Sequence, residues 1–190
     1  MFKENIEKAE LVKFPVSGFN GDIILVDTYK KMRACIDEIR SAPLLGFDTE
    51  SKPSFRKGRN NKVALLQLSL HERAYLFRIN KMGLPDELAG ILSDGSVVKA
   101  GVAVHDDIKG LKGLTGFKEA GFVELQEYVR NFGIQSSGLR KLSAIVLGFR
   151  ISKRQQVSNW EAPQLSDAQL LYAATDAWVC YEIYRKLSRL

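Results

Sequence analysis

Three short segments of this sequence place acidic or phenolic side chains where they could do chemistry. The first is Asp48-Thr49-Glu50, at the end of an apolar stretch that begins at Leu44. Because side chains alternate across a β-strand, Asp48 and Glu50 are expected on one face. Two carboxylates on one face repel each other unless a positive group lies between them, and a divalent cation with oxygen ligands meets that need. For this motif alone, a polar strand end entering a loop is the commoner explanation.

The second segment is Asp106-Asp107, which follows an apolar run over residues 97–104. In a helix that starts here, Asp107 shares a face with Leu111 and Leu114 and is therefore expected to point at the sheet. Asp106 is expected to face solvent, where an acid in the first turn stabilises the helix through its dipole. That ordinary role is also open to Asp107.

The third segment is Tyr172-Ala173-Ala174-Thr175-Asp176, inside the last predicted helix. Tyr172 and Asp176 are separated by four residues, so they are neighbours on one helical face. The small residues between them allow the helix to approach another element closely. A core tyrosine beside an exposed acid is the ordinary alternative, and for this pair alone it is the more frequent one.

The elements around these segments predict an α/β fold in a single domain. Apolar runs predict strands over residues 22–26, 44–50, 63–70, 74–79 and 97–104, with a short strand within 122–129. Helical spacing and capping residues predict helices from 27 or 28 to 43, 85–92, 105–114, 137–148 and 165–190. Residues 1–43 form an N-terminal extension with a strand and a helix, its first dozen residues a loosely held arm. Residues 44–190 form the core.

The bulk composition is that of a globular protein and favours an anionic partner only modestly. The 190 residues are 45% hydrophobic and 26% charged, with a formal net charge of +6. Cys35 and Cys180 show no metal-binding spacing, which is typical of buried thiols in a reducing compartment. No apolar run is long enough to span a bilayer, and the charged N-terminus is unlike a signal peptide. We therefore expect a cytoplasmic protein without membrane association.

The order of the three acidic segments resembles that of the DEDDy-type 3′-5′ exonucleases. This family, which includes ribonuclease D and the Werner-syndrome exonuclease domain, has the ribonuclease H-like fold. The resemblance extends to KVALLQLSL after DTE, to KAGVAVHDDIKGL, and to SNWEAPQLSDAQLLYAATDAWVCYEIYRKL. It covers about residues 44–187 and implies a mixed central sheet flanked by helices. It also implies a hydrolase that removes nucleotides from a 3′ end.

Carried over by position, the family's catalytic residues fall on five side chains: Asp48, Glu50, Asp107, Tyr172 and Asp176. The four acids would be metal ligands, and the alignment agrees with the helical-face argument in favouring Asp107 over Asp106. Two Mg²⁺ ions are the expected cofactors, with Mn²⁺ able to substitute. We hypothesise that Asp48 bridges both ions and that Glu50 and Asp176 hold the water-activating one. Asp107 would assist the other ion, through water if necessary, and Tyr172 would orient the attacking water.

Basic and aromatic residues near the acids are candidates for nucleic-acid binding. They are Phe55, Arg56, Lys57 and Arg59, which follow Glu50, and Arg154, which precedes Trp160 beside Lys153. Phosphate contact and an ordinary solvated loop are equally open for each basic residue, as are base stacking and an anchoring role for Phe55. Trp160 is expected to pack under the last helix.

The expected partner is the single-stranded 3′ end of DNA or RNA, with a helicase or another repair or processing enzyme as a further partner. Two other functions compete with an exonuclease: a nucleic-acid-binding adaptor that kept the fold and lost catalysis, and a ribonuclease H-like endonuclease. The complete set of five residues disfavours the adaptor. The Tyr-x-x-x-Asp spacing favours the exonuclease over the endonuclease by resemblance.

Overall fold

The central feature is a six-stranded mixed sheet in a computed structural model that describes residues 1–54 and 61–190. Its strands are β1 (Asp22–Val26), β2 (Leu44–Ser51), β3 (Val63–Ser69), β4 (Arg73–Phe77), β5 (Val98–Gly101) and β6 (Phe122–Glu124). They lie in the order β1-β4-β3-β2-β5-β6. β3 is antiparallel to both β2 and β4, and the other neighbouring pairs are parallel. The sheet and its flanking helices confirm the predicted α/β, ribonuclease H-like class.

Helices cover both faces of this sheet. They are α1 (Lys8–Leu11), α2 (Tyr29–Ser41), α3 (Ile79–Met82), α4 (Asp86–Leu92), α5 (Val104–Lys112), α6 (Leu125–Tyr128), α7 (Leu139–Leu142) and α8 (Asp167–Leu187). Helices α2, α4 and α5 share one buried apolar cluster with the sheet, whereas α8 contributes to two clusters on the other face. β2 and β3 are therefore covered on both sides, which is why all seven residues of β3 are buried.

Helix α8 begins at a capping box and lies directly on strand β2. The Ser166 hydroxyl accepts a hydrogen bond from the backbone N–H of Gln169, and the Gln169 side chain accepts one from the backbone N–H of Ser166. A Cβ atom on Gly46 would lie 1.9 Å from the carbonyl oxygen of Ala177. Glycine in β2 and alanine in α8 thus permit the close approach that brings the helical acids to the strand acids.

Most predicted elements are present, but several of their boundaries were wrong. The strand predicted to reach residue 79 ends at Phe77, and the one predicted to reach residue 104 ends at Gly101. Ala103 adopts a left-handed conformation with φ of 58°, and Val104 then starts α5. The apolar side chain of Val104 is therefore buried at the beginning of a helix rather than at the end of a strand.

Two helical predictions also need correction. The stretch predicted as one helix over 137–148 is a single α-helical turn, α7, followed by a π-helix over Ser143–Leu147. Its N-cap is Gly138, not Ser137, and Gly148 ends it with φ of 84° as expected. The long C-terminal helix starts at Asp167 and ends at Leu187, within the predicted range.

The prediction of a loosely held N-terminal arm was wrong. Ile6 and Leu11 are buried and pack against Ala144 of the π-helix. Farther along, the backbone N–H of Phe19 donates to the hydroxyl of Thr175 in α8, at 3.0 Å. These buried side chains, with Phe2 packed against a neighbouring apolar cluster, attach the segment to the core.

No helix in the described ranges of the chain has the length and apolar character required to cross a membrane.

Candidate active site

Three carboxylates converge between β2 and α8. Asp48, Glu50 and Asp176 each present an oxygen atom, and these atoms lie within 4.8 Å of one another. Asp48 and Glu50 share a face of β2, as the strand alternation predicts, and that face is the one covered by α8. The exposed fraction of Asp176 is only 7%. One of its oxygens, Oδ1, is buried and accepts no hydrogen bond from the described residues.

The electrostatics of this cluster favour bound protons or bound cations. Burial, followed by repulsion from Asp176 and the other acids, raises the pKa of Asp48 well above its usual range. Burial and repulsion from Asp176 and Asp107 raise the pKa of Glu50 to about 9. Burial raises the pKa of Asp176 to about 7, although nearby Tyr172 and Lys153 act in the opposite direction. Burying several carboxylates next to one another destabilises the folded chain, and only bound cations or protons can offset this effect.

Tyr172 lies one helical turn before Asp176, with its hydroxyl close to the acids. Its ring is 6.0 Å from that of Trp160, measured between centroids, and Trp160 is fully buried beneath α8 as predicted. Burial and the neighbouring carboxylates of Asp176 and Glu50 raise the pKa of the Tyr172 phenol. The phenol is therefore protonated at neutral pH, and it can donate a hydrogen bond but cannot serve as a base.

Asp107 is held at the edge of this cluster rather than in its centre. The Thr49 hydroxyl donates a 2.5 Å hydrogen bond to its Oδ1 atom, and Thr49 belongs to the opposite face of β2 from Asp48. Asp107 is therefore not one of the three acids within 4.8 Å. Burial raises its pKa to about 7, against the effect of the Thr49 hydrogen bond. Asp106 is exposed and Asp107 half-buried, as the helical-face argument predicts.

Two grooves reach residues of the site, one at Asp107 and the other at Tyr172. The first has a volume of about 700 Å³, and its walls include Thr49, Asp107 and three lysines: Lys52, Lys62 and Lys109. The second has a volume of about 330 Å³ and lies beside Tyr172, between the N-terminal segment at Val16 and the loop that carries Arg154. Basic residues therefore line the grooves next to Asp107 and next to Tyr172.

Comparison with known proteins places this arrangement in a family. The sequence profile described as 3′-5′ exonuclease matches residues 23–190, most of the chain. The chain belongs to the 3′-5′ exonuclease family. This membership confirms the resemblance to the DEDDy-type exonucleases noted in the sequence.

Individual relatives agree with this membership of the exonuclease family. The chain is 40% identical over 150 residues to the exonuclease 3′-5′ domain-containing protein 2 of Drosophila melanogaster, covering 77% of this chain and 25% of that protein. It is 36% identical over 154 residues to the bifunctional 3′-5′ exonuclease/ATP-dependent helicase WRN of Mus musculus, covering 77% of this chain and 11% of that protein. The chain therefore spans a quarter or less of these two relatives.

A solved structure shows the same fold. The Nibbler EXO domain of Aedes aegypti superimposes with a TM-score of 0.80 at 26% sequence identity, and the alignment covers 92% of each chain. Escherichia coli RNase D superimposes with a TM-score of 0.78 at 23% identity, over 90% of this chain and 45% of that one. The exonuclease fold thus accounts for nearly the whole of the described structure.

The candidate site brings together most, but not all, of the residues predicted from the sequence. Asp48, Glu50 and Asp176 converge, Tyr172 lies beside them, and Asp107 lies at the edge. Arg154 lines the groove next to Tyr172. The predicted nucleic-acid contacts Phe55, Arg56, Lys57 and Arg59 lie outside the described residues.

Two residues of this site were missed by the sequence reasoning. Thr49 has no role in the predicted site, yet its hydroxyl donates a hydrogen bond to Asp107. Glu124 lies in the stretch 122–129, predicted to contain a short strand, and its Oε2 atom accepts a 2.9 Å hydrogen bond from the backbone N–H of Val104. It thereby anchors the start of the helix that carries Asp107. Thr49 could have been found from strand alternation, whereas Glu124 carries no signal in the sequence.

The acid cluster fits divalent cations. Carboxylate oxygens are the ligands that Mg²⁺ and Mn²⁺ prefer, and a buried Asp176 oxygen has no partner among the described residues. None of the ion pairs within residues 1–54 and 61–190 involves Asp48, Glu50 or Asp176. The residues that would hold such cations are Asp48, Glu50 and Asp176, with Asp107 beside them.

Proposed function

We propose that this chain is a Mg²⁺-dependent 3′-5′ exonuclease that releases nucleotides one at a time from the 3′ end of a DNA or RNA strand. The observation that carries the proposal is the convergence, within 4.8 Å, of three carboxylates that form no ion pair with the described residues, next to a protonated tyrosine. A pair of Mg²⁺ ions held there would activate water and stabilise charge on the phosphate and the leaving oxygen. Mn²⁺ is expected to substitute for them.

The four acids would contact the cations from different positions. Asp48, which all three other acids repel, would be shared between the cations. Asp176 and Glu50, the two acids with the largest effect on the Tyr172 phenol, would hold the cation that activates water. Asp107 stands apart, oriented by the Thr49 hydroxyl, and is suited to a second position reached directly or through water. Together the four negative charges offset most of the charge of two divalent ions.

Tyr172 has a positioning role toward the attacking water. Because its phenol is protonated at neutral pH, its hydroxyl donates one hydrogen bond and accepts others. Its close neighbour Asp176 and the packing of its ring against Trp160 restrict the hydroxyl to one region beside the carboxylates. A hydroxyl held in this way can orient water toward a phosphate without removing a proton itself.

The basic residues in the two grooves are suited to hold the strand. Lys52, Lys62 and Lys109 line the larger groove next to Asp107, and Arg154 lines the smaller one next to Tyr172. Their charges attract the phosphate backbone irrespective of base sequence. The acids of the site repel phosphate unless cations are present, so binding of the strand end at the site depends on the cations.

The decisive experiment follows the release of a terminal nucleotide from 3′-labelled DNA and RNA strands. The wild-type chain is expected to release labelled mononucleotides with Mg²⁺ or Mn²⁺, and none with a chelator. Asp48→Ala should lower the rate by roughly a thousandfold or more, because the loss of several kcal/mol of transition-state stabilisation corresponds to that factor. A strand with a blocked 3′ end provides the control and should remain intact.

The same assay separates the competing functions. Internal cleavage of the blocked strand would identify an endonuclease. Binding of the strand with no cation-dependent release by the wild-type chain would identify an adaptor. Either outcome would refute the proposal.

A further inference from the structure

A glutamine under helix α8 has no hydrogen-bond partner among the described residues. Gln67 lies in the middle of β3, and its side chain is fully buried. Neither its amide nitrogen nor its amide oxygen forms a hydrogen bond within residues 1–54 and 61–190. Ser69, the other buried polar residue of this strand, donates to the carbonyl oxygen of Leu70. An unpaired buried amide destabilises a folded protein, so Gln67 requires an explanation that Ser69 does not.

The strand register places Gln67 beside the acid cluster. Gln67 is directly opposite Asp48 in the antiparallel pairing of β2 and β3. Residues paired in this way project from the same face of a sheet, with Cβ atoms about 4.5–5.5 Å apart. On its other side, Gln67 is opposite Leu76 of β4, which belongs to the apolar cluster beneath α8. The amide is thus enclosed between Asp48, an apolar side chain and the helix.

The chemistry of an amide suits this position. A lysine or arginine here would neutralise Asp48 and compete with a cation for it, whereas a neutral amide adds no charge. Carboxylates that bind metal ions are commonly oriented by hydrogen bonds from neighbouring groups, which hold the ligand in its binding orientation. The amide N–H groups of Gln67 can donate to a carboxylate oxygen of Asp48, and its carbonyl oxygen can accept from a bound water.

We propose that Gln67 is a positioning residue of the cation site, which orients the Asp48 carboxylate for cation binding. The inference rests on the proposed function, since it assigns a role toward cations held by Asp48, Glu50 and Asp176. It also accounts for the retention of a destabilising side chain in an otherwise apolar strand. Residues that lower stability are tolerated where they support a functional site.

The test compares cation binding and stability in one substitution. Gln67→Met keeps the length of the side chain and removes its polar atoms, and Gln67→Leu removes them with a shorter, branched side chain. For the metal-free chain, we expect a melting temperature equal to or above that of the wild type, because an unpaired amide is removed. Affinity for Mn²⁺, measured by titration with detection of the ion's electron paramagnetic resonance signal, should fall by roughly tenfold or more. The turnover number should also fall, while KM for the strand changes little.

A matched control and two contrary outcomes complete the experiment. Leu76→Met alters the same layer on the side away from Asp48 and should leave Mn²⁺ affinity unchanged. If both Gln67 variants melt at lower temperature but bind Mn²⁺ as tightly as the wild type, Gln67 has only a structural role and the inference is overturned. Failure of the wild-type chain itself to bind Mn²⁺ would instead refute the cation site and the proposed function, and this inference with it.

Discussion

Helix α8 contains two equally buried carboxylates in opposite electrostatic settings. Asp176 and Glu182 each have an exposed fraction of 7%. Glu182 is fully paired: its Oε2 atom accepts a 2.6 Å hydrogen bond from Nη2 of Arg185, and its Oε1 atom lies 2.6 Å from Nδ1 of His71. Asp176 instead faces Asp48 and Glu50, and its Oδ1 has no partner among the described residues.

The difference shows that one helix can carry a carboxylate with a structural role, Glu182, and another with a chemical role, Asp176. The hydrogen-bonding partners of Glu182 compensate its burial, whereas a carboxylate held among other carboxylates destabilises its surroundings until a cation binds. Tyr181 and Tyr172 repeat the contrast. Tyr181 stacks on His71 near Arg185, and Tyr172 lies beside the clustered carboxylates of Asp176 and Glu50.

The largest expected effect comes from neutralising each acid in turn. Asp176→Asn should abolish Mn²⁺ binding and lower nucleotide release by about a thousandfold, while leaving the metal-free chain as stable as the wild type or more so. Glu182→Gln should leave the release rate within a few-fold and destabilise the chain by about 1–2 kcal/mol, because its partners are partly exposed. Thermal unfolding measures the change in stability of each variant, and the nucleotide-release assay measures the change in its activity. Equal loss of activity in the two variants would contradict the assignment of a chemical role to Asp176 and a structural role to Glu182.

Replacing Tyr172 should lower the turnover number by a smaller factor than replacing Asp176. Tyr172→Phe removes the hydroxyl beside the acids, and we expect the turnover number to fall by roughly a hundredfold, the lower end of the effect of a positioned proton-handling group. Binding of the strand, measured by fluorescence anisotropy in Ca²⁺, should stay within twofold because the ring remains. Tyr181→Phe serves as the matched control and should retain full turnover. Undiminished turnover in Tyr172→Phe would remove that residue from the mechanism.

The acid cluster should also make the metal-free chain sensitive to pH. In the folded state the pKa values of Asp107 and Asp176 are raised to about 7 and that of Glu50 to about 9, from ordinary values of 3.8 and 4.5. Between these limits the folded chain binds more protons than the unfolded chain, so stability should fall as pH rises from about 4 to about 9. Bound cations replace these protons, so Mn²⁺ affinity should increase over the upper part of that range.

Melting temperatures measured over this pH range, with chelator and with Mn²⁺, test the expectation. The fall in stability should be reduced in Asp176→Asn and kept in Glu182→Gln, because only the first substitution removes a member of the cluster. A metal-free wild-type chain that becomes more stable between pH 5 and pH 8 would contradict the electrostatic picture.

The smallest effect concerns strand binding. Arg154→Ala should weaken binding by a few-fold, and the dependence of affinity on salt should become shallower by about one unit of slope, the contribution of a single phosphate contact. Arg189→Ala changes an exposed arginine near the Glu182 end of α8 and should have no effect. Binding titrations at several salt concentrations distinguish the two, and identical results for both would leave Arg154 without a role in binding.

The sequence predicted the fold better than it predicted the details of packing. Alternation in β2 and the four-residue spacing in α8 were sufficient to place Asp48 with Glu50 and Tyr172 with Asp176, because these relations depend only on local geometry. The predicted element boundaries were wrong where an apolar residue belongs to the next element, as Val104 does at the start of α5. The attachment of the N-terminal segment was missed because its apolar residues are scattered among charged ones and form no periodic stripe, although Ile6 and Leu11 are buried.

By itself, the sequence determined the elements, the family and the identity of the acids, since all three follow from patterns between residues close in the chain or from the order of motifs. The tertiary structure alone decided which acids meet. Gly46 lets α8 approach β2 closely enough to add Asp176 to the strand acids, Thr49 holds Asp107 to one side, and the β2–β3 register sets Gln67 against Asp48. These contacts join residues far apart in the chain, and their formation depends on how helix and sheet pack.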